Sequence, residues 1–246
     1  MLLKACVNGP RLPAEHAALP VTPAALAADV AAVVAAGAGA VHLHVKDGEG
    51  VDTLGHDELA AVLAAVGAAA PGVPIGVTTG AWTIPDPAGR VAAIRSWSTQ
   101  PDFASVNWHE TGADSVAEAL LGRGVGVEAG LWHSAAVAAW LGSPYRDRCC
   151  RVLIELPDGL DQVATEAEAD RLLAEVRAGV HDRIPVLMHG EGTSCWPALR
   201  LASRRGLDTR IGLEDVLELP DGSPAPDNRS LVVAARALLP SPEQGG

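Results

Sequence analysis

The chain has 246 residues, of which 48% are hydrophobic and 20% are charged, and 18 basic against 30 acidic residues give a formal net charge of −12. This length and composition suffice for one domain with a sizeable core and argue against intrinsic disorder. The acidic balance argues against nucleic acid and anionic membranes as main partners, although a local arginine can still bind a small anionic substrate.

Short apolar runs alternate with helical patterns along the first half of the chain. Thr22 followed by Pro23 is typical of a helix N-cap and first turn, and Gly37 is a natural end for that helix. The predicted strands of this half are residues 2–7, 40–45, 74–79 and 103–108, and further helices are predicted at 59–66, 87–97 and 115–121.

The same alternation continues through the second half. Thr165 and Glu168 have the spacing of a capping box, which predicts that a helix starts there, and Gly206 closes the next one. The predicted strands are residues 125–131, 151–156, 185–189 and 209–213, and the remaining helices are predicted at 134–141, 165–176, 197–203 and 231–239.

Eight strand–helix units in one chain predict an α/β fold, a single-domain (β/α)8 TIM barrel. We expect residues 1–240 to form the catalytic barrel domain and 241–246 to be a disordered tail. A doubly wound open sheet is the structural alternative. Its dinucleotide-binding version is disfavoured because no Gly-x-Gly-x-x-Gly follows the first strand.

The cysteines and the hydropathy pattern bear on the compartment. The four cysteines form no Cys-x-x-Cys pair, which favours reduced thiols. We read no signal peptide before the first strand. The uncharged stretch 59–77 is interrupted by glycine and proline, so it predicts a helix end and a strand start instead of a membrane span. These features predict a cytoplasmic protein.

The strongest chemical signal is the pair His42 and His44 at the end of the second strand. Residues two apart on a strand point to the same face, so both imidazoles are predicted to enter the barrel. Two adjacent imidazoles are a natural half of a zinc site. The alternative is a pair of hydrogen-bonded core histidines.

The last strand offers the missing ligand. Closure of a barrel brings strand 8 close to strands 1 and 2, so Glu214 is the predicted third ligand, which leaves one position open for water or substrate. Arg210 has the same parity on that strand and could bind a substrate carboxylate, with Asp215 as a base. A structural ion pair is the alternative for these charges.

With these residues the sequence resembles the β-keto acid cleavage enzymes, whose founding member is the 3-keto-5-aminohexanoate cleavage enzyme. The resemblance covers nearly the whole chain, and its most specific parts are the strings at 42–47 and 210–215. The other matching pieces are 5–9, 19–23, 78–80, 103–107, 127–128 and 189–192.

The resemblance implies a zinc-dependent barrel, usually a homo-oligomer, in which a β-keto acid and acetyl-CoA exchange to give acetoacetate and a new acyl-CoA. It implies that the metal ligands are His42, His44 and Glu214. The residues implied as catalytic are Arg210 and Asp215, for the substrate carboxylate and proton transfer, and Glu128, as a second acid/base or orienting carboxylate. The predicted substrate-binding residues are Thr78, Thr79, Asn107 and His109.

Three positions depart from the family pattern. Lys46 stands where the family commonly has arginine, which affects the surroundings of the metal site more than its ligands. Ala81 follows Gly80 in place of a second glycine. The segment after Gly9 lacks the acidic residue that the family often has near there, and Arg11 could instead select an acidic or differently shaped substrate tail. Substrate preference is therefore the property that transfers least.

Two other functions are compatible with a metal-binding barrel. The first is a zinc hydrolase of the amidohydrolase type, whose His-x-His pair belongs on strand 1, whereas this pair is on strand 2. The second is a binding module without catalysis, in which the metal only stabilises the barrel. Cleavage that needs no acetyl-CoA would indicate the first, and unfolding on metal removal with no turnover would indicate the second.

Overall fold

Eight parallel strands close into one barrel in sequence order. The structure is a computed structural model that describes residues 1–180 and 184–240. The strands are β1 (Leu3–Cys6), β2 (Ala40–Leu43), β3 (Ile75–Thr78), β4 (Phe103–Asn107), β5 (Gly126–Leu131), β6 (Arg151–Leu156), β7 (Val186–Gly190) and β8 (Asp208–Ile211).

One α-helix follows each strand. The helices are α1 (Pro23–Ala35), α2 (His56–Ala69), α3 (Pro87–Ser96), α4 (Ala113–Leu121), α5 (Ser134–Leu141), α6 (Gln162–Val180), α7 (Cys195–Arg205) and α8 (Asn228–Leu238). The predicted N-cap of α1 is confirmed, since Thr22 accepts a hydrogen bond from the Ala25 amide, and Gly206 closes α7 in the left-handed conformation.

The barrel closes where β1 pairs with β8, with Lys4 opposite Arg210. The predicted (β/α)8 barrel is therefore confirmed, and the open doubly wound sheet is excluded. No helix in the described ranges is long and apolar enough to cross a membrane. The predicted tail, residues 241–246, lies outside the described residues.

The predicted start of α6 is wrong. The helix begins at Gln162, and Thr165 lies inside its first turn. Asp161 holds this end of the helix instead, because its carboxylate accepts from the Ala164 amide at 2.8 Å and its carbonyl accepts from Thr165 Oγ1 at 2.7 Å. An aspartate just before the turn thus replaces the predicted threonine cap.

The second strand is also shorter than predicted. It ends at Leu43, so His44 lies one residue beyond it. The side chain of Asn8 replaces the missing strand pairing, because it accepts from the His44 amide at 2.8 Å and donates to the His44 carbonyl at 2.9 Å. His44 therefore keeps the direction it would have on a longer strand.

Candidate metal centre and substrate cavity

A cavity of about 430 Å³ opens among the carboxyl ends of the strands and the loops that follow them. This is the face on which barrel enzymes carry their active sites, and the volume is in the range of small-molecule sites. The sequence-predicted residues that line it are His42, His44, Thr78, Asn107, His109, Arg210 and Glu214. Other residues that line it include Trp82, Trp132, Glu155 and Glu191.

His42, His44 and Glu214 come together at one side of this cavity. Each offers a ligand atom, and the three atoms lie within 4.8 Å of one another. The Nε2 atoms of His42 and His44 each lie 3.8 Å from a different oxygen of Glu214. Such a convergence of two imidazoles and one carboxylate is suited to bind a divalent metal ion with a position left open.

Two observations at the triad fit a metal ion, one on His42 and one on Glu214. Burial, followed by the neighbouring His44, lowers the pKa of His42 well below its usual value, which keeps the ring neutral as a ligand must be. In the described part of the chain, Glu214 Oε2 is buried without a hydrogen-bond partner. A buried carboxylate oxygen needs a partner, and a metal ion between the three side chains would supply one.

A close backbone approach holds Glu214 in place. Gly9 has a φ of +59°, and a Cβ atom there would lie 2.5 Å from Glu214 Cγ. Only glycine allows the loop after β1 to take this conformation and to pass so near the carboxylate side chain. The Asn-Gly pair at positions 8 and 9 thus sets the directions of both His44 and Glu214.

Sequence reasoning missed Asp52, which orients His44. Its carboxylate accepts hydrogen bonds from His44 Nδ1 at 2.6 Å, Lys46 Nζ at 2.5 Å and Trp82 Nε1 at 2.8 Å. A carboxylate on the far nitrogen fixes the imidazole tautomer, so that Nε2 presents its lone pair to the metal position. The available signal was the glycine-containing turn after residue 47, which returns the chain to Lys46 as an antiparallel bridge.

Arg210 lines the cavity next to the metal triad. Its Nε and Nη2 atoms donate to Asp215 Oδ1 at 3.1 and 2.8 Å, and Nη2 lies 3.1 Å from Glu214 Oε1. Asp215 itself has no exposed surface and does not line this cavity. The structure therefore brings Arg210 and Asp215 together. Arg210 lines the cavity, and Asp215 lies on the side of the arginine that faces away from it.

The predicted substrate residues divide into two groups. Thr78, Asn107 and His109 line the cavity, and Asn107 is held by a hydrogen bond from its Nδ2 to Glu110. Thr79 is buried outside the lining, and its hydroxyl donates to the Ser105 carbonyl at 2.7 Å. Its position indicates a role in joining the ends of β3 and β4.

Glu128 lies inside the barrel and does not line the cavity. Its oxygens accept from Lys4 Nζ at 2.5 Å and from Arg151 Nη1 at 2.7 Å. Burial opposes ionisation, but Lys4 and Arg151 outweigh it and lower the pKa of Glu128. With both oxygens engaged and no access to the cavity, this position favours the orienting role over the acid/base role that the resemblance also implied.

Two further glutamates face the cavity. Glu155 on β6 is hydrogen-bonded to His189, with its Oε2 atom 3.1 Å from His189 Nε2. Glu191, in the loop after β7, is part of the lining, and burial together with the charge of Asp215 raises its pKa to about 7. Both were visible in the sequence at strand ends, but spacing alone could not assign them a role.

Fold and site together define a (β/α)8-barrel protein with a candidate metal-binding triad at the face where such barrels carry their active sites. The sequence profile of the β-keto acid cleavage enzyme family matches residues 1–123 and 159–243. The match covers well over half of the chain, which therefore belongs to this family and confirms the resemblance. A search among curated proteins found no significant match.

Solved structures agree with the fold. The apo structure of ObcA superposes with a TM-score of 0.72 at 19% identity, covering 89% of this chain and 61% of that one. ObcA in a binary complex with oxaloacetate gives 0.71 at 17% identity, covering 89% and 63%. The chain thus spans about three fifths of the length of ObcA.

A third solved barrel superposes over nearly the full length of both chains. (S)-3-O-geranylgeranylglyceryl phosphate synthase from Thermoplasma acidophilum superposes with a TM-score of 0.55 at 11% identity, covering 97% of this chain and 92% of the other. At such identities these likenesses show the fold alone.

Proposed function

We propose that the protein is a zinc-dependent β-keto acid cleavage enzyme that uses acetyl-CoA as its second substrate. Two bonds break, the C2–C3 bond of the β-keto acid and the acetyl–sulfur bond of acetyl-CoA. Two bonds form: the acyl part of the keto acid is joined to the CoA sulfur as the new acyl-CoA, and its two-carbon carboxylate part is joined to the acetyl group as acetoacetate. The observation that carries this proposal is the His42, His44 and Glu214 triad at the cavity of a chain of this family.

Zinc fits the donor set, since two neutral imidazoles and one carboxylate are a common catalytic zinc environment. When bound, the ion would supply Lewis-acid stabilisation of the negative charge that develops on the keto oxygen. Asp52 would hold His44 in the tautomer that this requires, through its 2.6 Å contact with Nδ1.

Arg210 is the proposed anchor for the substrate carboxylate. Its Nε and Nη2 are engaged by Asp215 and Glu214, whereas Nη1 has no hydrogen-bond partner among the described residues. A guanidinium held on one edge by carboxylates is pre-oriented to donate from the other. Thr78, Asn107 and His109 would line the rest of the substrate.

Proton transfer at C2 needs a carboxylate close to the substrate. Asp215 is the family-implied candidate, and it lies behind Arg210 with no exposed surface. Glu191 is a second candidate because it lines the cavity, and its pKa of about 7 suits a group that takes up a proton near neutral pH. A base acts when deprotonated, so kcat/KM is expected to rise with pH through about 7.

The pH profile of Glu191→Gln separates the two candidates. If Glu191 takes the proton, the variant loses about 100-fold or more in kcat/KM and the rise near neutral pH disappears. If Asp215 takes it, the rise persists in Glu191→Gln, and Asp215→Asn is the variant that loses activity. The measurement is kcat/KM from pH 5 to 9 at saturating zinc.

The central experiment is acetoacetate release by zinc-loaded protein from acetyl-CoA and a panel of β-keto acids. We expect turnover that requires acetyl-CoA and that stops when a chelator removes the metal. Product formation without acetyl-CoA would instead indicate a hydrolase. A complete lack of turnover across the panel with stoichiometric zinc bound would contradict the proposed reaction.

The proposal includes a homo-oligomer in the cytosol, as the family resemblance and the cysteine pattern imply. Light scattering coupled to size-exclusion chromatography measures the assembly directly, and fractionation of cells that express the chain measures its location. A monomer, or recovery in the membrane fraction, would contradict these two parts without touching the chemistry.

A further inference from the structure

The strands on both sides of β1 end before they reach the metal triad. β8 ends at Ile211, three residues short of Glu214, and β2 ends one residue short of His44. The side chain of Asn8 replaces the missing pairing between β1 and β2 at His44. A second asparagine, Asn228, lies at the corresponding place between β1 and β8, and the proposed chemistry gives it no part.

Asn228 is the first residue of α8, and its side-chain amide lies between the segments that follow β8 and β1. Its Oδ1 accepts from the Leu213 amide at 2.7 Å, and its Nδ2 donates to the Val7 carbonyl at 2.7 Å. These are the two bonds, one accepted and one donated, that a peptide unit inserted between the two segments would make. The amide therefore continues the hydrogen bonding between β8 and β1 beyond the last paired strand residues, Ala5 and Ile211. We call this contact the Asn228 bridge.

Neighbouring residues determine the orientation of this amide. Asp29 Oδ2, on α1, accepts from Asn228 Nδ2 at 2.8 Å, so the nitrogen takes part in two hydrogen bonds and the oxygen in one. Asp227 caps α8 by accepting from the Ser230 amide at 2.7 Å, which fixes where the helix begins. Asn228 has no exposed surface. A buried amide whose oxygen and nitrogen are both engaged strongly favours one orientation.

The segment that carries Glu214 depends on such side-chain contacts because it lies beyond the end of β8. The Glu214 amide donates to the Cys6 carbonyl at 3.2 Å. From the other side, Arg11 Nε donates to the Leu213 carbonyl at 2.5 Å, but the side chain of Arg11 is 23% exposed. Asn228, by contrast, is fully buried where it holds Leu213, the residue directly before Glu214.

Both ends of the Asn228 bridge are connected to the metal triad. Leu213 directly precedes Glu214. Val7 directly precedes the Asn-Gly pair at 8–9, which holds His44 and packs against the side chain of Glu214. Zinc ligands lie about 2.0–2.2 Å from the ion and tolerate displacements of about 0.2 Å. Because the triad combines residues from different strands, a change in the separation of β8 and β1 would move its members apart.

We propose that Asn228 is a positioning residue of the metal site. The Asn228 bridge keeps Glu214 at the distance from the two histidines at which one metal ion can bind all three side chains. Asn228 does not line the cavity, so it acts through the backbone and contacts neither metal nor substrate. This inference rests on the proposed function, because it assumes that the triad binds zinc.

The test compares Asn228→Ala with the wild type by two measurements that need no substrate. Competition with a chromophoric chelator gives the affinity for Zn²⁺, and visible absorption of the Co²⁺-loaded proteins reports the coordination of the metal. Asn228→Ala removes the bridge, so we expect zinc affinity to fall about 10–100-fold, as is typical when a partner that orients a metal ligand is lost. A displaced Glu214 should also change the intensity or position of the Co²⁺ bands.

Two further variants separate the bridge from the stability of α8. Asn228→Asp combined with Asp29→Asn exchanges the two groups. The carboxylate at position 228 can still accept from the Leu213 amide and from the amide at position 29, but it cannot donate to Val7. Its zinc affinity should therefore lie between those of Asn228→Ala and the wild type. Val232→Ala is the matched control, since this fully buried side chain lies one turn further along α8. It should lower Tm and leave zinc affinity and the Co²⁺ spectrum unchanged.

Failure of this inference and failure of the proposed function give different results. A wild type that binds no zinc would contradict the proposed function and this inference with it. A wild type that binds zinc, together with a folded Asn228→Ala protein of equal zinc affinity and identical Co²⁺ spectrum, would overturn the positioning role alone. An equal loss of affinity in Val232→Ala would also overturn it, because stability would then explain the loss. If Asn228→Ala does not fold, wild-type affinity in the double variant would overturn the bridge, and a reduced affinity would support it.

Discussion

The two sides of the cavity differ in how their polar groups are partnered. On the side of β1, β2 and β8, His44 is held by Asp52, Arg210 is held by Asp215, and both surround Glu214. On the side of β4 to β6, Asn107 Oδ1 and Glu155 Oε1 both lie close to the backbone of Gly130, and no hydrogen bond engages this Glu155 oxygen within the described part of the chain.

The difference indicates which contacts each side is prepared to make. A set of side chains already fixed by its neighbours is suited to one constant ligand, as the proposed metal ion and keto acid group would be. A set with acceptors left over is suited to the part of the substrate that varies.

Loss of a metal ligand should have the largest effect on this arrangement. His42→Ala and His44→Ala each remove one of two imidazoles and are expected to lose bound zinc and at least about 1,000-fold in turnover, while circular dichroism still reports a folded barrel. Metal content by mass spectrometry is the measurement. His56→Ala, at an exposed surface histidine, is the control and should retain zinc. Unchanged zinc in both ligand variants would refute the triad.

Breaking the Arg210–Asp215 pair should affect turnover and stability together. Arg210→Ala leaves a fully buried carboxylate unpaired, which costs about 3 kcal/mol in the free energy of unfolding and removes the proposed substrate anchor. The double variant Arg210→Ala/Asp215→Ala should regain much of the stability and none of the turnover. Denaturant unfolding and kcat/KM measure the two effects, and wild-type turnover in Arg210→Ala would exclude the anchoring role.

Asp52→Asn tests the positioning of His44 without removing a ligand. The amide cannot accept from His44 Nδ1, Lys46 and Trp82 as the carboxylate does, so we expect zinc affinity to fall by about 10–100-fold with the fold intact. Trp82→Phe removes only one donor to Asp52 and should have a smaller effect. Competition with a chromophoric chelator measures both, and equal affinities in Asp52→Asn and wild type would show that Asp52 serves only the loop.

Asp29, a carboxyl group that does not line the cavity, should give the smallest effect and serves as a reference for the cavity residues. Burial raises the pKa of Asp29 to about 7, while Asn228 Nδ2 donates to its Oδ2 at 2.8 Å. Because the folded protein holds this proton more tightly than the unfolded chain, the free energy of unfolding should fall as pH rises from about 4 to about 7.

Asp29→Asn should remove this dependence and stabilise the protein by about 2 kcal/mol at pH 8. Unfolding in denaturant between pH 4 and 8 is the measurement. Asp57→Asn, at a side chain that is 96% exposed, is the matched control and should change neither the slope nor the stability. If the free energy of unfolding depends on pH as strongly in Asp29→Asn as in the wild type, other titratable groups cause that dependence.

Much of the fold and the metal triad could be predicted from the sequence. Alternating apolar runs and helical spacings determined eight strand–helix units, and the i, i+2 spacing of His42 and His44 determined that both face inward, because strand geometry repeats every two residues. Glu214 followed from closure of the barrel. These properties depend on local periodicity and on one topological rule, both of which a single chain displays.

The tertiary structure alone decided which groups are partners. Asp52 reaches His44 only after a turn folds back, Glu128 meets Lys4 across the barrel, and Glu155 meets Asn107 over a glycine on a third strand. Hydrogen bonding and burial depend on distances between residues far apart in the chain, and no repeat in the sequence encodes those distances. The sequence therefore determined the barrel and the candidate metal ligands, and the packing of the strands decided which group each carboxylate contacts.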